Sequence, residues 1–125
     1  MSGPRLVLDT NAVVALLKGS GPLDAWTRGA SWIAISVITR LEFLAFSGLC
    51  NEDKQLFDAL CRRIETIWLA EESIELLDKA VRLRQEHRLR LPDAIIAATA
   101  MINDAALITA DDDFRAIDGL EILSF

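Results

Sequence analysis

The sequence predicts an α/β sandwich on a mostly parallel sheet of four to five strands. Two observations carry that reading. Short β-rich apolar runs alternate with segments of helical spacing in the order β-α-β-α-β-α-β-β. One helix, "LPDAIIAATAMIND", is small and apolar all round, so it must be buried.

The elements follow in order. "RLVLD" (5–9) is a strand that ends in a carboxylate, and "NAVVALLKG" is a helix closed by Gly19, where a left-handed cap costs little. "SGP" (20–22) is a turn and 23–28 a short helix, before the strand "WIAIS" (32–36). "VITRLEFLAFSG" (37–48) has helical spacing and again reaches a glycine. In "EDKQLFDALCRRI" (52–64), Leu56, Leu60 and Ile64 share one helix face, with Phe57 and Cys61 beside them. "TIWLA" (66–70) is a third strand, and 71–88 a long amphipathic helix. Pro92 suits the first turn of the buried helix, and "ALIT" and "LEILSF" are the last strands. Without repeats or a long linker, residues 1–125 form a single domain.

The composition, 52% hydrophobic and 26% charged, is that of a globular chain and too apolar for disorder. No apolar run approaches the roughly 18 residues of a membrane helix. "MSGPRLVLD" lacks the apolar core of a signal peptide, and Cys50 and Cys61 have no CxxC spacing, so the cytoplasm is the expected compartment. A net charge of −6, from 19 acidic and 13 basic side chains, excludes a general basic surface for nucleic acid. It leaves open nucleic acid held through cations, which a carboxylate cluster would attract.

Open parallel sheets bind ligands beyond the C-terminal ends of their strands. Asp9 closes the first strand, Ser36 closes the second, and Asp111, Asp112 and Asp113 follow the fourth. Asp93 opens the buried helix that feeds the fourth strand, and Glu42 lies on the first turns of the helix leaving the second. These acids are therefore expected at one edge. Carboxylates so close do not all stay ionised without a counter-charge. The chemistry that wants them is a hard divalent cation, Mg²⁺ or Mn²⁺, which acidifies water for in-line attack on a phosphodiester. Each residue also has a plainer reading. Asp9 and Asp93 could be first-turn acids favoured by the helix dipole. Thr39 and Glu42 could form a capping box, and one of the three aspartates could cap a helical turn at 114–117.

The segments "LVLDTNAVVALL", "ISVITRLEFL", "LPDAIIAATAMINDAALITADDDF" and "GLEILSF" resemble the PIN-domain family, and within it the VapC-type toxins of bacterial toxin–antitoxin pairs. The likeness covers nearly the whole chain. It implies a three-layer α/β/α sandwich and metal-dependent RNA cleavage. It places the family's acids on Asp9, Glu42, Asp93 and Asp111, with Asp9, Asp93 and Asp111 as metal ligands and Glu42 and Asp113 as further candidates. Asn11 and Ser36 match polar positions expected to orient a carboxylate or a water, and Asp112 is left facing solvent. The likeness also implies a homodimer and a VapB-like antitoxin seated in a hydrophobic groove near the early helices.

"DKAVRLRQEHRLR" is the one locally basic stretch, and helical spacing puts Arg84 and Arg88 on one face upstream of Asp93. The expectation is that they guide RNA; a solvated helix face is the alternative. His87 has no partner for nucleophilic catalysis and is assigned no role. "LEFLAF" shows Leu41, Phe43, Leu44 and Phe46 around one helix, more apolar surface than a single core needs, while Arg40 would pair with an acid or face solvent. The leading expectation is a Mg²⁺-dependent endoribonuclease acting as a toxin. The alternatives are a PIN-fold scaffold without catalysis and an RNA- or DNA-processing nuclease without an antitoxin.

Overall fold

A computed structural model describes residues 3–125. Five strands, β1 (Arg5–Leu8), β2 (Trp32–Ser36), β3 (Glu65–Ile67), β4 (Ala106–Thr109) and β5 (Ile122–Ser124), form one sheet in the order β3-β2-β1-β4-β5. Every neighbouring pair is parallel. The helices are α1 (Thr10–Leu17), α2 (Gly21–Gly29), α3 (Val37–Leu44), α4 (Asn51–Cys61), α5 (Ile74–Glu86) and α6 (Leu91–Ile102). The expected layered α/β sandwich is what forms, with the sheet parallel throughout.

The period-two alternation of strand side chains sorts the core onto two faces. Val7, Ala34 and Leu107 meet α5 and α6 through Leu76, Leu83, Ala94 and Ile96. Leu6, Leu8, Ile35 and Ile108 meet the α1–α4 side through Val13, Leu23, Phe43 and Phe57. Because β1 and β4 are buried on both faces, their sequences read as continuous apolar runs rather than alternating ones. Gly19 closes α1 at φ 88°, a conformation strained for any residue with a Cβ.

Several boundaries differ from the sequence reading, each for a local reason. The helix after β2 stops at Leu44 instead of running to Gly48, because residues 46–49 fold into tight turns. Phe43 is buried rather than exposed, its ring stacked on Phe57 at 4.3 Å. Leu41, Leu44 and Phe46 do remain exposed. The segment 71–88 is not one helix. Ser73 Oγ accepts from Ala70 N (3.0 Å) and donates to the Trp68 carbonyl (3.3 Å), making Glu71–Ser73 a separate 3₁₀ turn. At the other end α5 stops at Glu86, and the chain turns so that Leu89 enters the core. Arg88 therefore lies in the connection to α6 and does not share a helix face with Arg84.

Candidate active site

Asp9 is the first residue beyond β1 and the N-cap of α1. Its Oδ1 accepts from Ala12 N at 2.8 Å, and its own N–H donates to the Ile108 carbonyl at 3.2 Å, tying it to β4. It is 6% exposed. The buried Thr109 hydroxyl, at the end of β4, donates to the Asp9 carboxylate and accepts from Asp111 N at 3.0 Å. One hydroxyl thus links two acids on adjacent strands. Asp111 Oδ1 in turn accepts from Asp113 N at 2.9 Å and caps the 3₁₀ turn Asp112–Ala116.

Asp93 sits in the first turn of α6, whose start is pre-shaped by Pro92. Arg90 Nε stands 3.5 Å from Asp93 Oδ2. Glu42 projects from α3 toward α1, where Thr10 Oγ1 donates to its Oε1 at 2.7 Å. The capping box at Thr39 does not form. Ser36, fully buried, is the N-cap of α3, its Oγ accepting from Ile38 N at 3.0 Å, and Thr39 lies inside the helix.

The acids feel one another. Burial pushes the Asp9 carboxyl above its ordinary range. Thr109 and the Ala12 N–H oppose the rise, and the charges of Asp111 and Asp93 add to it. Asp93 is likewise raised, first by burial and then by Asp111 and Glu42, against the pull of Arg90. Asp9, Asp93 and Asp111 are therefore electrostatic neighbours at the C-terminal edge of the sheet, and Glu42 adjoins them through Asp93. Asp112 is exposed and pairs with Arg115 Nε at 3.1 Å. The Asp113 carboxylate is exposed, and its contribution to the cluster is the backbone N–H given to Asp111. Asn11 is exposed on the first turn of α1.

Among the described residues, no three acids stand close enough together to share an ion with the side chains as they are. Each is held by a local donor: Thr10 on Glu42, Arg90 on Asp93, Asp113 N on Asp111. The donor chemistry fits a hard divalent cation all the same. The donors are carboxylate oxygens, and two of the carboxyls carry a desolvation and repulsion cost that a cation would relieve.

Sequence reasoning missed Thr10, Thr109 and Arg90. Their signals were adjacency, since Thr10 follows Asp9 directly, Thr109 is two before Asp111, and Arg90 is three before Asp93. Away from the acids, α1, α2 and α4 enclose a groove of about 580 Å³ whose apolar walls include Leu16, Leu17, Ile33, Leu56, Leu60 and Ile64. Arg84, Arg88 and Arg90 are exposed around a hollow of about 570 Å³ formed by residues 84–90. Among the described residues no helix is long and apolar enough to cross a membrane.

Comparison with known proteins agrees with this architecture. A toxin–antitoxin complex from Klebsiella pneumoniae contains a chain similar at 30% identity, with 95% of this chain and 96% of that one covered and a TM-score of 0.77. A member of the VapBC family of toxin–antitoxin systems, VapBC-5 from Mycobacterium tuberculosis, is similar at 27% identity over 98% and 100% of the two chains, with a TM-score of 0.63. An uncharacterized protein of Archaeoglobus fulgidus is 43% identical over 51 residues, 41% of this chain and 80% of that one. The family model of the PIN domain matches residues 6–120. The chain belongs to the PIN-domain family.

Proposed function

We propose that this PIN domain is a divalent-cation-dependent endoribonuclease and the toxin of a toxin–antitoxin pair. The observation that carries the reading is the convergence of Asp9, Glu42, Asp93 and Asp111, from four separate elements, at one edge of a parallel sheet. Four repelling acids are costly to keep together unless a cation uses them. The toxin role is supported by likeness to chains of toxin–antitoxin complexes.

Asp9, Asp93 and Asp111 would hold the ion, Mg²⁺ or Mn²⁺. When bound, it supplies positive charge against the phosphodiester and makes water a stronger nucleophile. Glu42, which accepts from the Thr10 hydroxyl, would complete the ligand set or take a proton from the attacking water. Thr109 keeps Asp9 and Asp111 in register, and Ser36 fixes the start of the helix that carries Glu42. Arg84 and Arg88 give the RNA backbone a cationic approach in an otherwise acidic chain. The groove between α1, α2 and α4 suits the apolar face of a VapB-like antitoxin, and exposed Leu41, Leu44 and Phe46 suit a homodimer contact.

The test is cleavage of a structured RNA pool in Mg²⁺, Mn²⁺ or EDTA, beside Asp9→Asn. Cutting that requires the metal and is lost in the variant is expected. Equal cutting by both proteins would remove the assignment.

One observation favours a second reading. Glu42, Asp93 and Asp111 already have donors, so a scaffold could keep them as capping and pairing groups. Isothermal titration with Mn²⁺ separates the two, since a scaffold of this kind would bind none.

A further inference from the structure

Arg90 touches the acidic cluster from outside, and neither the family match nor the proposed roles account for it. Its side chain is 78% exposed while that of Asp93 is 17% exposed, so an exposed cation sits on a largely covered anion. The contact is long, 3.5 Å through a single nitrogen, rather than the short bidentate fork by which arginine locks a carboxylate. The first turn of α6 places Asp93, and this long contact is the side-chain hydrogen bond that Arg90 gives its carboxylate. Beside it on the hollow formed by residues 84–90 stand Arg84 and Arg88, both exposed.

We propose that Arg90 is an intramolecular competitor for the carboxylate that the metal needs, and that cation binding hands its guanidinium over to an RNA phosphate. The proposal rests on the reading of Asp93 as a ligand. A guanidinium and a divalent cation both draw on the charge of Asp93, and each repels the other there. By linkage, whatever affinity Arg90 costs the cation is the free energy with which the cation drives Arg90 away. Once released, the side chain joins Arg84 and Arg88, and three guanidiniums face the approach to the cluster. Metal loading and substrate capture are thereby coupled, and the cationic strip is completed only when the ion is in place.

A supporting role would give the opposite sign. An arginine that orients a metal ligand loses affinity when removed, by roughly 10–100-fold for partners of this kind. A competitor gains it, and the long, exposed contact limits the gain to roughly two- to fivefold.

The experiment uses the full chain and three proteins: unaltered, Arg90→Gln and Arg90→Lys. Free Mn²⁺ is measured by electron paramagnetic resonance during titration, and the Arg90 Nε–Hε resonance is followed during a parallel Mg²⁺ titration. Arg90→Gln is expected to bind Mn²⁺ two- to fivefold more tightly, with Arg90→Lys between the two. The Nε–Hε resonance should move along the same saturation curve as metal binding. In cleavage assays Arg90→Gln should raise KM for RNA while kcat at saturating metal holds, and Arg90→Lys should recover part of KM. Unchanged or weaker Mn²⁺ binding by Arg90→Gln, with the metal still bound by the unaltered chain, overturns the competition alone. Absence of Mn²⁺ binding in all three proteins overturns the metal site itself, and the competition with it.

Discussion

Asp9 is the most constrained acid of the cluster. It is buried, capped by the Ala12 N–H and bonded by Thr109, yet its carboxyl is still pushed above the ordinary 3.8. The sign of the pH effect follows from linkage. A carboxyl raised in the folded state binds its proton more tightly there than in the unfolded chain. Its neutral form therefore favours folding, and that stability is lost as pH rises through the folded value. At neutral pH the penalty is fully present. Asp9→Asn should then raise the melting temperature at pH 7 by roughly 3 °C, the shift that ~0.5–1 kcal/mol makes in a domain of this size. The gain should shrink as the pH is lowered through the acid range and vanish below about 3, where the aspartate is neutral in both states. Thermal denaturation across that range checks both parts. A variant less stable at pH 7 would show that the charged cap and the Thr109 bond outweigh burial and repulsion.

At the scale of elements, α3 is the clearest link between packing and chemistry. Its start is fixed by the buried Ser36 hydroxyl and its far end by Phe43 stacked on Phe57 of α4, and Glu42 stands one residue before Phe43. Ser36→Ala leaves a helix-terminal N–H without its acceptor in a buried setting, and about 1 kcal/mol of stability should go with it. Urea denaturation measures the loss, and a change below a few tenths of a kcal/mol would mean that water replaces the cap.

The same elements show what is legible in the sequence. Strand ends and the start of α6 are set by local signals, so Asp9, Asp93 and Asp111 can be placed at one edge from the apolar runs, Pro92 and the geometry of parallel sheets. The hydroxyl partnerships cannot be read in that way. Thr10 and Glu42 are 32 residues apart, and neither carries a mark of the other. Helix ends escape local reading where tertiary burial decides them. Leu89 takes the chain into the core and ends α5 before Arg88, although charge and spacing alone allow the helix to continue.

Across the whole molecule, the proposed function asks a chain of net charge −6 to bring an anionic substrate to an anionic edge. Arg84 and Arg88 are the local exception, and their combined neutralisation to glutamine should raise KM for RNA about fivefold, as the removal of two modest exposed ion pairs would. The dependence of binding on salt should become shallower, by about 0.7 in logarithmic slope for each single-strand phosphate no longer neutralised. Unchanged KM and slope would assign both arginines to solvent. A last consequence belongs to the parallel sheet. β4 lies between β1 and β5, and it supplies both the carbonyl that holds Asp9 N and the hydroxyl that couples Asp9 to Asp111. A chain made only as far as α5 has Asp9 but lacks the strand that places it. An emerging polypeptide thus carries no assembled cluster until residues 106–109 have been made and paired with β1.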